Sequence, residues 1–188
     1  MMMRLIAGLV AILPAVVIFF GVIAGAETPR RHALVEALGI KQLFGWPPSA
    51  ADVLRYLHQF NMFQIQAAAL ADSRGDDALR EVAIDQAQQA RQRDQQVFRL
   101  NTFALLSIDF PDHPNVILSN ELAGLRGAVG EQFLADFHAK QIKEFRRMIA
   151  LIRRFLLHPD NDLIRRFAIE QLPLLERNLA ILEGQATS

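Results

Sequence analysis

The chain has 188 residues, a formal net charge of zero and no cysteine. That length suits one well-buried domain rather than two large ones, and the missing cysteines exclude disulfides, thiolate nucleophiles, zinc–thiolate sites and iron–sulfur clusters together. Balanced charge argues against a general nucleic-acid binder, which needs a basic surface to neutralise many phosphates.

The hydrophobic fraction of 52% exceeds the globular norm, and an N-terminal run contributes to the excess. Leu5 to Ala24 carries no charge over 20 residues, enough at helical rise to match a bilayer core of about 30 Å. Ala24-Gly25-Ala26 also fits a small-x-small cleavage pattern behind the minimal charged start at Arg4, and Pro14 would shorten the apolar core toward signal length. Residues 1–27 are therefore expected to be a signal peptide or a transmembrane anchor. Arg4 on one flank and Arg30 with Arg31 on the other leave the orientation of an anchor open. Residues 28–50 read as a linker with a short amphipathic segment. Within it, Leu34, Val35, Leu38, Leu43, Phe44 and Trp46 suit either a membrane interface or a strap across the end of the following domain. Few basic residues accompany them, which favours the strap.

Residues 51–184 carry helical periodicity throughout. Ser49 caps a helix running to about Asp72, with Leu54, Leu57, Phe60, Phe63, Ala67 and Leu70 as its apolar stripe. Ser73-Arg74-Gly75-Asp76 supplies a turn, and a second helix of about Asp77 to Ser107 carries Leu79, Val82, Ala83, Ala87, Ala90, Val97, Leu100 and Ala104. Two prolines and two aspartates in Ile108 to Pro114 break the helix and make the long connection. Glu121 to Val129 resumes helical composition but is weakened by Gly124, Gly127 and Gly130, and reads as a separate short turn before the next helix. Glu131 to Leu157 then places Phe133, Phe137, Ile142, Phe145, Met148, Ile149, Ile152 and Leu156 on one side, and Lys140, Lys143, Glu144, Arg146, Arg147, Arg153 and Arg154 largely on the other. At about 40 Å this helix suits a bundle better than a small mixed fold. His158-Pro159-Asp160-Asn161 ends it, and a last helix spans about Asp162 to Glu183, with Leu163, Phe167, Ile169, Leu172, Leu175, Leu179 and Leu182 apolar and Pro173 as an expected bend. The expected fold is all-α, with four main helices and no strand.

Three stretches, FNMFQIQAAALA, FLADFHAKQIKEF and FAIEQLPLLERNL, resemble the family known as domain of unknown function 4142, which has a ferritin-like helical bundle and is predominantly exported by bacteria. Phe133, Phe137, Gln141 and Ile142 match one family phrase, and Leu172-Pro173 with Leu175 matches another. The resemblance covers about Asp52 to Gly184. It implies a ferritin-like four-helix bundle behind an export segment. Family members commonly carry histidines on three of these helices, and alignment by eye puts those positions at Gln95, Phe145 and Asn178, with a first-helix glutamate near Gln64. Amides and a phenyl ring are poor metal ligands, so the resemblance implies a degenerate site here.

A di-metal centre in such a bundle needs inward glutamates and Glu-x-x-His pairs, and the chain contains no Glu-x-x-His. Of the five histidines, His32, His113 and His158 fall outside the main helices, while His58 and His138 read as surface or boundary residues. Glu81 and Asp85, one turn apart, could act as acid and base if buried together, but nothing places a nucleophile or oxyanion donor beside them, and a solvated pair is the simpler reading. The glutamine-rich run Gln86 to Gln96 reads as a solvated face rather than an internal network. The arginine pairs at 146/147, 153/154 and 165/166 could meet anionic lipid or an acidic partner, and the 13 phenylalanines read as core. The expected protein is a non-catalytic, cofactor-free bundle of the cell envelope, in the periplasm or anchored in the inner membrane. Its expected partners are the membrane, through the N-terminal segment if uncleaved, and an envelope protein, with no nucleic acid. The alternatives are a metal-binding stress protein and a carrier of lipid or a small apolar ligand.

Overall fold

A computed structural model of the chain describes residues 47–185, which lie in a compact unit beginning at Gly45. The signal or anchor, its orientation and the amphipathic segment before Pro47 lie outside the described residues. Five helices, and no strand among the described residues, follow in order: α1 Ala50–Arg74, α2 Asp77–Phe103, α3 Val116–Gly127, α4 Gly130–Leu157 and α5 Asp162–Gln185.

Each start is built from local chemistry. Ser49 caps α1 through a reciprocal box with Asp52, in which the Ser49 side chain accepts from Asp52 N at 3.1 Å and Asp52 Oδ2 accepts from Ser49 N at 2.9 Å; two otherwise unsatisfied amides are thereby served. Asp76, Asn115 and Asn161 accept from the first amides of α2, α3 and α5 in the same manner. Gly75 separates α1 from α2, and a Cβ there would stand 2.7 Å from the Ala71 carbonyl oxygen, so the close turn needs glycine. Gly130 opens α4 at φ +57°, in the left-handed region that favours glycine.

The turn at Gly75 makes α1 and α2 antiparallel. At one end Ala50 N donates to Asp160 Oδ1 beyond the C-terminus of α4; at the other, Arg74 donates to the carbonyls of Leu125, Arg126 and Ala128 just before α4 begins. Hence α4 runs against α1, and α5 runs back beside it. The four long helices form a helical bundle in which α1 contacts α2 and α4, α4 contacts α5, and the thinnest seam, α2 against α5, closes the ring. Because α2 and α4 point the same way, the chain between them must travel the length of the bundle. Residues 104–115 and then α3 make that return, with α3 packed on α1 and α4.

Four expectations need correction. Helix α2 stops at Phe103 rather than near Ser107: Leu105 and Ser107 take positive φ values of 52° and 51°, a geometry that cannot continue a right-handed helix. The weak segment at Glu121 is part of a full helix starting at Val116, because Asn115 caps it and Leu118, Leu122 and Leu125 bury its inner face. Ile169 is half exposed rather than internal. Glu144, assigned to the outer side of α4, is completely buried, at 0% exposure. Helix α5 continues through Pro173.

Candidate functional site

The core divides in two. One apolar cluster joins the first half of α1, the second half of α4 and α5, including Leu54, Phe60, Phe145, Phe155 and Leu175. The other joins the second half of α1, the start of α2, α3 and the start of α4, including Phe63, Leu118, Phe133 and Phe137. A belt of buried polar residues interrupts this core on all four long helices: Asn61 and Gln64 on α1, Gln86 and Arg93 on α2, Gln141 and Glu144 on α4, and Gln171 and Asn178 on α5.

These side chains reach across the helix interfaces. Gln64 Nε2 donates to Gln141 Oε1 at 2.7 Å, joining α1 to α4, and Asn178 Nδ2 donates to Gln89 Oε1 at 2.8 Å across the thin α5–α2 seam. Arg93 Nε donates to Asn61 Oδ1 at 2.8 Å, and Asn61 Nδ2 donates to Asp94 Oδ1 at 3.2 Å. The Arg93 guanidinium, 5% exposed, lies over the Phe60 ring at 5.5 Å from its centroid. Burial lowers its pKa to about 10 against the opposing charge of Asp94, yet it remains a cation at neutral pH. Tyr56 Oη donates to Glu144 Oε2 at 3.1 Å, and Arg147 Nη1 to Glu144 Oε1 at 2.5 Å. Burial raises the Glu144 pKa against the pull of Arg147 and Tyr56, and burial with the Glu144 charge raises that of the Tyr56 hydroxyl.

At the edge of the belt His58 is buried rather than at the surface. Its Nδ1 lies 2.8 Å from Asp94 Oδ1 and its Nε2 3.1 Å from the Pro111 carbonyl oxygen. An imidazole beside a carboxylate has the form of a general-base pair, but Nε2, the nitrogen that would face a substrate, is committed to Pro111. Three belt atoms, Gln64 Oε1, Gln86 Oε1 and Gln141 Nε2, make no hydrogen bond within the protein. Gln89 is thus tied inward to Asn178, and Gln86 is buried with no partner for its Oε1, so neither belongs to a solvated face. Gln88, Gln92, Gln95 and Gln96 do face solvent.

The positions singled out from the family pattern do not converge. Gln95 is exposed, while Phe145 and Asn178 are buried, so helical geometry turns Gln95 away from the interior that the other two occupy. Gln64 does enter the belt. Among the described residues no three or more His, Cys, Asp or Glu side chains gather as a potential metal cluster. Glu81 and Asp85 are both exposed, and Asp85 accepts from Gln89. His138 keeps a buried Nδ1 without a hydrogen bond, and burial lowers its pKa against the charge of Asp76. Of the arginine pairs, Arg146, Arg147, Arg153 and Arg165 meet Glu183, Glu144, Glu176 and Asp162 respectively. An open groove of 270 Å³ runs between two of these ion pairs on the outside of α4 and α5, floored by Ile149 and Leu179. It shares no residue with the belt.

The family model for the domain of unknown function DUF4142 matches residues 45–184. The chain belongs to this family. The matched span takes in all four long helices and α3, so the belt and both apolar clusters lie inside the DUF4142 region. Comparison with curated proteins and with solved structures gives no match. Among the described residues no helix is long and apolar enough to cross a membrane.

Proposed function

We propose that this DUF4142 chain is a non-catalytic interaction module of the cell envelope, carried there by its N-terminal apolar stretch as a signal or an anchor, with a ferritin-like bundle whose metal site is degenerate. One observation carries the reading: where a bundle enzyme would place ligands, Gln64 and Gln141 bind each other. Phe60 and Phe145 stack edge to face beside them at 5.0 Å. Neutral amides and phenyl rings form a poor donor set for iron, manganese or zinc. The one belt carboxylate that is fully buried, Glu144, is already engaged by Tyr56 and Arg147. The long return between α2 and α4 supports the ferritin-like connectivity, which has one such crossover.

The same filled interior argues against a carrier, since a lipid or small apolar ligand needs a cavity of several hundred Å³ and Phe133, Phe137, Phe145 and Phe155 already occupy the core at 0–1% exposure. The test is mass spectrometry of the purified protein for both metal and organic extract, after exposure to iron, manganese, zinc and copper and removal of excess. We expect neither stoichiometric metal nor a retained lipid. A retained metal would overturn the degenerate-site reading, and a co-purifying lipid would favour the carrier.

A further inference from the structure

The segment that carries the chain back along the bundle is pinned at its two ends by neutral contacts and at its middle by a histidine. Near its start, Asn101 exchanges two hydrogen bonds with the backbone of Ile108, at 2.9 and 3.2 Å. At its end Asn115 donates to Gln59 Oε1 at 2.6 Å. Between these, the Pro111 carbonyl meets His58 Nε2 on α1, while the Pro114 carbonyl accepts from Ser119 Oγ on α3. Phe110 adds a ring packed on His58 and Phe98, with centroids 5.0 and 4.9 Å away.

His58 stands between two groups that can only accept: the Asp94 carboxylate at Nδ1 and the Pro111 carbonyl at Nε2. A neutral imidazole has one N–H and can serve one of them; only the imidazolium donates to both. We propose that His58 is a pH-sensitive latch, which as imidazolium ties the 109–114 segment to α1 and α2 and on deprotonation lets go of Pro111. The proton that stays is the one on Nδ1, because the bond to a carboxylate is the stronger. Nε2 then turns a lone pair toward the carbonyl oxygen, and the segment lifts with Phe110, uncovering the His58–Phe98 face.

The groups around the ring fit this assignment. From α2 come Asp94 directly and Arg93 at one remove through Asn61; from the crossover segment comes Asp112; on α1 itself Arg55 pairs with Asp52 one turn away. Burial disfavours the charged ring, but the hydrogen bond and charge of Asp94, with Pro111 and Asp112, outweigh it and raise the pKa above its ordinary value. A group with a raised folded pKa contributes fully below its unfolded value, about 6.5 for histidine, and that contribution is lost as pH rises through the folded value. The latch is therefore closed in acid and opens on the alkaline side. His138, whose pKa burial lowers, has the opposite sign, so global stability mixes the two and a local readout is needed.

The chain has no cysteine, so a single one can report on the segment. In the full chain carrying His113→Cys, at an exposed position within it, a nitroxide label should gain a mobile spectral component as pH rises from 5 to 8.5. The bound-to-free ratio should fall by about tenfold, as expected for loss of one charge-assisted hydrogen bond. His58→Gln should abolish the pH dependence, and Asp94→Asn should move the transition to lower pH. A label insensitive to pH, a transition that survives His58→Gln, or one that Asp94→Asn leaves in place would each overturn the latch. If His58→Gln does not fold, the Asp94→Asn shift still decides.

Discussion

The pair formed by Gln64 and Gln141 allows a sharp test of what the belt contributes. Changing Gln64 to Leu removes the donor to Gln141 Oε1 and leaves Gln141 with no partner at either side-chain atom, since its Nε2 has none already. Stranding a buried polar group costs about 1–3 kcal/mol, and Gln141→Leu does the same to Gln64. The double change is different. It removes four buried polar atoms, two of which make no hydrogen bond within the protein, and substitutes apolar groups of similar size, a replacement that is near neutral or stabilising. Each single variant should therefore lose about 1–3 kcal/mol while the double matches or exceeds the parent, so the coupling, the double less the sum of the two singles, is about 2–6 kcal/mol in magnitude. Urea denaturation of residues 45–188 measures all four corners of the cycle; with slopes of about 1–3 kcal/mol per molar, each single variant should shift the midpoint by roughly 1 M. A double variant as unstable as the sum of its singles would refute this account and would mean that the amides are held by something other than each other.

Three further outcomes are expected. Ser49→Ala removes the side chain that serves Asp52 N and should cost about 1 kcal/mol, read as a lower thermal midpoint. For Glu144, whose pKa burial raises, the native state holds its proton to higher pH than the unfolded chain. Stability should fall as pH rises from the unfolded value of about 4.3 through the raised one, and Glu144→Gln, which keeps an acceptor for Tyr56, should flatten that part of a urea-midpoint series against pH. Placing histidines together in the variant Gln95→His, Phe145→His, Asn178→His should not create a metal site, because Gln95 lies on the outer face of α2. Metal analysis showing one tightly held ion per chain would refute that geometry.

Much of the bundle was legible because helix ends and apolar faces are local. Ser49, Gly75 and Asn161 act through atoms within a few residues of themselves, and the Phe133, Phe137 and Phe145 row follows from helical spacing alone. The end of α2 was less legible, since Leu105 and Ser107 adopt a left-handed geometry that neither residue type favours. Capping by Asn115 outweighed the glycines of α3, whose Gly127 sits at the helix terminus, where the entropy penalty is smallest.

The belt was illegible for a physical reason. Glu144 follows Lys143 and precedes Arg146 and Arg147, and in a helical projection those neighbours make it look like part of a charged outer face. Its burial is tolerated only because Tyr56, 88 positions away in the chain, supplies a hydroxyl and Arg147 a cation. Likewise His58 had no carboxylate at helical spacing on α1; its partner, Asp94, arrives from α2. Buried polar groups require partners, and here nearly every partner lies on another helix. Their positions depend on the register of one helix against the next, which the apolar stripes leave free by about a turn. The belt supplies the missing constraint: sliding α1 on α4 by one turn would preserve most apolar contacts but strand Gln64, Gln141, Tyr56 and Glu144 together, a cost of several kcal/mol. Amides that make a poor metal site are thus well suited to fixing how four helices align, and that role accounts for their polarity without a ligand.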